Sequence, residues 1–249
     1  MSALLRSELV KQRTTRTSLL LLFWMVGLVA LVVLLHVFSL SVGAIAARDG
    51  ELKVLGWGTS IGALFASLLG AMSITGEIRH GTIRPTFLAT PKRARVITAK
   101  VAASALAGVA LGLLAEALTA GIESAGLAVR GIHIALSAGD YAQLLAGGAA
   151  AAALWGAIGV GVGALVRNQV GALIGLCVWL LLIETTLIGN VPSAGKFAPG
   201  ASAGALAGAI QTQTAAKLVA PALGVLLLAA YATLAVGAGA LATTRRDVG

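Results

Sequence analysis

The chain has 249 residues, of which 58% are apolar and only 11% charged, and its mean hydropathy is +0.97. Soluble globular domains carry about 25% charged residues, so this composition cannot cover a water-facing surface and excludes an ordinary soluble fold. The formal net charge of +9 reads as cytoplasmic loop charge on a membrane protein. A nucleic-acid-binding face is excluded, because no zinc-finger spacing or RNP-like aromatic pattern accompanies the charge.

Residues 1–17 carry Arg6, Lys11, Arg13 and Arg16 ahead of the first apolar run, SLLLLFWMVGLVALVVLLHVFSLSV, at about 18–42. That run exceeds the 7–15 apolar residues of a signal peptide and meets the ~20 that a helix needs to cross the hydrocarbon layer. It is expected to be a retained span, with His36 serving helix packing. A short charged loop, ARDGELK, leads to the second run at about 54–75. The next stretch, GEIRHGTIRPTFLATPKRAR at 76–95, gathers Arg79, His80, Arg84, Lys92, Arg93 and Arg95 among apolar neighbours. Pro removes a backbone donor and clashes with the preceding helical turn. Pro85 and Pro91 therefore predict jointed pieces: a short helix near 76–84, a turn or helix near 85–90, then a basic elbow.

The third run spans about 98–120, and the fourth, rich in Gly and Ala, about 141–166. Arg167-Asn168 makes a tight turn into the fifth run at about 170–189. The connection at 190–217 holds a ladder of Gly200, Gly204 and Gly208 with Gln211 and Gln213 following. It is too short to cross alone, so an external or shallow interfacial helix is expected, with a re-entrant hairpin as the alternative. The sixth run, about 218–243, closes on Thr243-Thr244-Arg245-Arg246-Asp247.

Charge placement supports this count. With the N-terminus inside, the inner segments hold Arg6, Lys11, Arg13, Arg16, Arg79, Arg84, Lys92, Arg93, Arg95, Lys100, Arg167, Arg245 and Arg246. The outer segments hold only Arg48, Lys53, Arg130, Lys196 and Lys217. An excess of Lys and Arg marks the cytoplasmic side, so six spans with both termini cytoplasmic are expected. The fold class is an all-α integral membrane protein in one transmembrane domain, 1–249, with a short amphipathic cytoplasmic helix between spans two and three. Gly159-x-x-x-Gly163 and Gly171-x-x-x-Gly175 have the small-residue spacing that lets helix backbones approach closely.

Motifs for chemistry are missing. Cys177 is the single cysteine, which rules out an intrachain disulfide. There is no HExxH pair, GxSxG elbow or P-loop, and His36, His80 and His133 fall at different depths. The chain is therefore read as a non-enzyme that binds no metal or cofactor itself. Glu116 and Glu184 lie near the outer ends of spans three and five. An acid within a span is a functional candidate by default, so both are candidates for a substrate route. The basic segment, with Ile78, Ile83, Phe87 and Leu88 interspersed, suits either a protein-docking element or a loop on anionic headgroups, at about 1 kcal/mol per near-surface cation.

The segments GEIRHGTIRPTFLATPKRARVITAKV at 76–101, RNQVGALIGLCVWLLLIE at 167–184 and AAYATLAVGAGALATTRRDV at 229–248 resemble the ABC-2 family of bacterial ABC-transporter permeases, of the actinobacterial type. The resemblance implies a transport subunit, usually for export, in the bacterial cytoplasmic membrane. It also implies a partner permease subunit, identical or related, and separate ATPase subunits that carry ATP and Mg. By the same resemblance Glu77, Arg79, His80, Thr82, Arg84 and Phe87 would form a coupling helix seated on the ATPase. A non-transporting membrane anchor or assembly protein is the alternative. An ion-coupled carrier would require converging intramembrane acids.

Overall fold

In hydrocarbon a backbone N–H or C=O finds no water, so each apolar run must satisfy its own polar groups as a helix. The structure is a computed structural model that describes residues 2–90, 92–209 and 218–245, without the side chains of Ser2, Arg84, Ala89 and Arg245. It is all helical, with no strand among the described residues. In chain order come α1 (Ser2–Thr14), α2 (Arg16–Ser39), α3 (Val42–Ile45), α4 (Arg48–Arg79), α5 (Ile83–Ala89), α6 (Arg93–Val129) and α7 (Ala138–Val166). Then follow α8 (Gln169–Val178), a π-helical segment (Trp179–Ile183), α9 (Glu184–Asn190), α10 (Pro192–Gly195), α11 (Pro199–Ala207) and α12 (Pro221–Arg245). Six helices are long and apolar enough to cross a membrane: α2, α4, α6, α7, the continuous Gln169–Asn190 stretch, and Pro221–Thr244. The six expected spans are all present.

Their bounds differ from those read off the apolar runs. ARDGELK is no loop; from Arg48 on it forms the first turns of α4, where Asp49 and Glu51 suit the positive end of a helix dipole. Glu51 is fully buried and accepts from the backbone N–H groups of Ala135 (2.8 Å) and Leu136 (3.2 Å). Span three runs on to Val129, well beyond the expected limit near 120. At 1.5 Å per residue the 32 residues of α4 and 37 of α6 measure about 48 and 55 Å, so both project past a hydrocarbon core of ~30 Å. A hydropathy edge marks where the membrane ends, whereas the helix continues into the headgroup layer.

The segment 76–95 also divides elsewhere than at its first proline. α4 continues through Arg79, and Gly81, with φ +71°, supplies the left-handed residue of the turn. Thr82 donates its backbone N–H to Glu77 (2.9 Å), closing the helix end. The short helix is then Ile83–Ala89, one helix rather than two. Pro85 sits in its first turn, where backbone N–H groups have no intrahelical partner to lose. Pro91 lies outside the described residues, as do Gln211, Gln213, Lys217, Arg246 and Asp247.

The bundle is centred on α4, α6 and α7, whose backbones touch through glycine. A Cβ on Gly159 would stand 2.0 Å from the Ser67 carbonyl oxygen, and one on Gly70 would stand 2.1 Å from that of Gly156. On α6, Gly108 meets Ala152 and Gly112 meets Gly148 in the same way. Of the two spacings singled out in the sequence, Gly159 and Gly163 both press on α4, while Gly175 faces open space. Around this centre α2, the fifth span and α12 turn large apolar side chains outward, among them Phe23, Trp24, Leu182 and Leu234, as lipid-facing helices should.

Polar ties join helix ends at both levels. Arg48 pairs with Asp140 (2.5 Å) at the starts of α4 and α7, and Arg130 binds the Val37 and Leu40 carbonyls at the end of α2. At the opposite level Arg79 reaches Gln169 (3.3 Å), and Arg93 donates to the Thr243 carbonyl (2.8 Å). The start of α2 and the end of α12 therefore share one side of the bundle. That side carries most of the Lys and Arg and is termed inner below.

Among its described residues, 190–209, the connection forms the short helices α10 and α11, and α11 does not lie flat. Ala207 packs on Gly147, and Ser202 on Gly224. Gly147 is nine residues into α7, about 13 Å from its outer start, so the end of α11 dips among the spans; the other limb of a re-entrant hairpin, 210–217, lies outside the described residues.

These contacts set an expectation for stability in detergent. Gly159→Ala should lower the unfolding free energy by about 1–3 kcal/mol, the usual cost of overpacking. Gly175→Ala should be neutral or stabilise by up to ~1 kcal/mol, because a methyl there meets nothing and helical glycine is entropically costly. SDS-titrated unfolding of the two variants checks the contrast.

Candidate functional site

Two regions of the described residues concentrate polar chemistry, one at each end of the bundle. At the inner end α1 lies across the ends of α4 and α6. Its residues Glu8, Lys11 and Gln12 follow one another at helical spacing, so they address a single groove. Lys100 of α6 has no exposed side-chain surface; its Nζ donates to Glu8 Oε2, Glu77 Oε1 and the Ser73 carbonyl, each at 2.8 Å. Lys11 bonds the other oxygen of Glu8 (2.8 Å) and the same oxygen of Glu77 (2.7 Å). Gln12 donates to Ser104 Oγ (3.0 Å). Three donors, matched by three acceptors, make Lys100 a fully satisfied buried ammonium.

Partial burial alone would lower the Lys11 pKa, but the bonds from Glu77 and Glu8 outweigh it and raise it above the usual lysine value of 10.5. The tie is therefore complete at neutral pH and is lost only as pH climbs through that raised value.

The residues of the expected coupling helix thus have different settings. Glu77 faces inward, held by Lys100 and Lys11. Arg79, His80 and Thr82 are exposed around the Gly81 turn, and His80 Nδ1 lies 2.8 Å from the Gly76 carbonyl oxygen. The Arg84 side chain lies outside the described residues. On α5 Ile83 is buried against Ile74 and Ala164, and Phe87 packs on the same cluster. The Arg93 guanidinium stands 5.4 Å from the Phe87 ring centroid. Leu88, by contrast, is 82% exposed. α5 is therefore gripped on one face and apolar on the other.

At the outer end a cavity of about 390 Å³ lies between α2, α4, the fifth span and α11. Its floor is α4 from Lys53 to Leu64, and its sides come from Leu28 and Val32, from Leu180 to Ile188, and from Gly200 to Gly204. Glu184 lines it. One of its oxygens accepts from the Ala201 N–H (2.7 Å) at the start of α11, and Gly200 leaves room for the carboxylate. The other oxygen, Oε2, is buried with no partner among the described residues, as is the Trp57 indole N–H. The π-helical turn Trp179–Ile183 immediately precedes Glu184; such bulges recur at functional positions.

Glu116 stands behind the cavity wall. Thr59, which lines the cavity, donates to Glu116 Oε1 (2.5 Å), and Gly58 and Gly148 open the space that the carboxylate fills. The structure thus places Glu184 in the cavity and Glu116 in the core beside it. His36 packs on Trp57, with ring centroids 5.1 Å apart, in line with its packing role.

Sequence reasoning passed over Glu8, Lys100, Glu51 and Glu123 as site residues. Glu8 and Lys11 at i, i+3 were the available signal for the inner tie. Glu123 follows Glu116 by seven residues, hence on the same face of α6; it is fully buried with neither oxygen partnered among the described residues. No group of three or more His, Cys, Asp or Glu side chains forms a metal site among the described residues.

No protein-family model matches the chain, and no curated protein matches it. What the sequence and structure establish is a broader class. This is an integral, multi-spanning α-helical membrane protein.

Removing one member of a buried ion pair strands the other, at about 3–5 kcal/mol. Lys100→Met should therefore destabilise the bundle by that order and free α1, raising protease cleavage near residues 12–16. Lys11→Met, at a half-exposed position, should change stability by no more than ~1 kcal/mol. Limited proteolysis and SDS unfolding of both variants check the ranking.

Proposed function

We propose that the chain is the membrane-spanning permease subunit of an ATP-driven transporter of the ABC-2 type, working as an exporter in the bacterial cytoplasmic membrane. A second permease subunit, identical or related, completes the pore, and separate ATPase subunits bind ATP and Mg. The observation that carries this reading is α5. It is a seven-residue helix on the side richest in Lys and Arg, inserted between two spans. One face is anchored through Ile83 and Phe87, while Leu88 stands outward. An isolated apolar side chain on a small, well-anchored projection suits a socket on a partner.

The anchoring also suits force transmission. Thr82 is bonded to the end of α4, Phe87 lies beside Arg93 at the start of α6, and Arg93 is bonded to the last turns of α12. A push on α5 would thus enter three spans at once. Glu77 acts in this scheme by fixing the end of α4, while Arg79, His80 and Thr82 are exposed at the entry to the docking helix, in which Arg84 stands. The outer cavity with Glu184 favours a transport route over a solid anchor protein.

Leu88→Asp tests the reading without touching the inner ion-pair tie. The variant should insert and melt like the wild type, yet lose a co-purifying P-loop ATPase and at least tenfold of the ATP hydrolysis recovered from native membranes. Recovery of equal ATP hydrolysis with the variant would remove α5 as the docking element. Absence of any ATP-hydrolysing partner from the wild type would sink the transporter assignment.

A further inference from the structure

The outer cavity is lined by an acid and a base that do not meet. Lys53 and Glu184 both line it, yet neither enters an ion pair among the described residues. Both sit within two turns of the outer end of their helices. Lys53 is five residues from the outer start of α4, and Glu184 six from the outer end of the fifth span. At 1.5 Å per residue both are about 8–9 Å from those helix ends.

We propose that this cavity binds the head of a zwitterionic phospholipid carrying a primary ammonium, the ethanolamine type. The ammonium donates to Glu184 Oε2, and the phosphate accepts from Lys53 Nζ and the Trp57 indole N–H. A purely cationic amphiphile would leave Lys53 unmatched, and a purely anionic one would confront the buried carboxylate. Only a ligand of both signs answers both groups. A quaternary ammonium is disfavoured because it has no N–H for an oxygen that lacks a donor. His36 already lies against Trp57, with its ring tilted over the indole, which leaves less of the indole to cradle such a cation.

The remaining lining fits the rest of a lipid. Leu28, Val32, Leu64, Leu180 and Leu181 offer apolar wall. Leu181 is both a lining residue and more than half exposed, so the cavity reaches the lipid-facing surface beside the fifth span. Its ~390 Å³ lies at the small end of the usual range for ligand pockets. It holds a headgroup and the first carbons of the chains, while the remainder stays in the bilayer. The inference deepens the transport reading of the same cavity, and rests on it only for the step from bound lipid to carried lipid.

The test uses the full chain, purified alone in a nonionic detergent and delipidated. Short-chain phosphatidylethanolamine, phosphatidylcholine and phosphatidylglycerol are added in turn, with bound lipid counted by native mass spectrometry. The ethanolamine lipid should bind at least fivefold tighter than either of the others. Glu184→Gln, which keeps an oxygen for the Ala201 N–H, should reduce it to the choline level. Lys53→Glu, at an exposed rim position that the fold does not need, should weaken ethanolamine and choline lipids alike by a similar factor. Equal binding of all three lipids to the wild type would mean unspecific annular lipid and would overturn the proposal. So would an unchanged affinity for the ethanolamine lipid in a well-folded Lys53→Glu chain. Because no ATPase is present, loss of ATPase coupling in native membranes leaves this result standing, and the reverse also holds.

Discussion

The bundle depends on the close approach of α4, α6 and α7. Lipid tails are as apolar as leucine, so helices in a membrane gain little from hiding apolar surface, and association rests on van der Waals contact. Contact is densest where side chains are absent. Gly70, Gly108, Gly112, Gly156 and Gly159 bring backbone to within reach of backbone across all three helices. The same economy sets where polar groups can be buried. Gly58 and Gly148 open the space that Glu116 fills, and Gly200 opens that for Glu184.

The two ends of the bundle then solve the burial of charge differently. At the inner end, two carboxylates meet two ammoniums and a carbonyl, and Lys100 keeps all three of its donors occupied. Such a cluster resists rearrangement because each charge removed would expose another to an apolar setting. At the outer end the accounts do not balance. Glu184, Glu123, Trp57 and Tyr141 each retain a buried polar atom with no partner among the described residues. Unsatisfied groups are costly; the inner end has them too, at Gln12 Oε1 and Glu77 Oε2, but at the outer end two of them, on Glu184 and Trp57, belong to residues that line the cavity.

Much of this was legible in the sequence. Six apolar runs and the asymmetry of Lys and Arg fixed the number of spans and the common side of both ends. The Gly-rich connection at 190–217 was readable as helical and too short to cross, but its expected place was external or interfacial, and the close fit of Ala207 on Gly147 that carries α11 inward left no mark in hydropathy. What hydropathy could not reveal was helix length. ARDGELK looks like a loop because its charges would be intolerable in hydrocarbon, but α4 carries them beyond it, where Glu51 binds the 131–137 connection. Nor could it reveal that Lys100 is buried. A lysine at the foot of a span ordinarily snorkels to water, and only the arrival of Glu8, 92 residues away in sequence, makes an interior site tolerable. Pro85 misplaced the joint in 76–95 for a related reason. Proline breaks a helix interior but suits a first turn, so Gly81, the residue able to adopt φ +71°, carries the bend.

Stiffness and softness are therefore distributed unevenly. The α4–α6–α7 centre, locked by backbone contact in the middle and by Lys100 at its foot, has little freedom to bend, since close-packed interiors transmit strain rather than absorb it. The fifth span is different. Its Trp179–Ile183 turn is π-helical and none of those five residues is buried, so the helix is interrupted within the wall of the outer cavity, to which Leu180 and Leu181 belong. Its inner start is tied to the foot of α4 through Arg79 and Gln169, while its outer half holds Glu184 against α11. If force enters at α5, the rigid centre would move as a unit, and the fifth span would yield at its π turn. The wall of the cavity between Leu180 and Ile188 is the part that such yielding displaces. In the transport reading, opening and closing of the outer site would then come from one weak turn in one helix, with the remainder of the bundle serving as the lever.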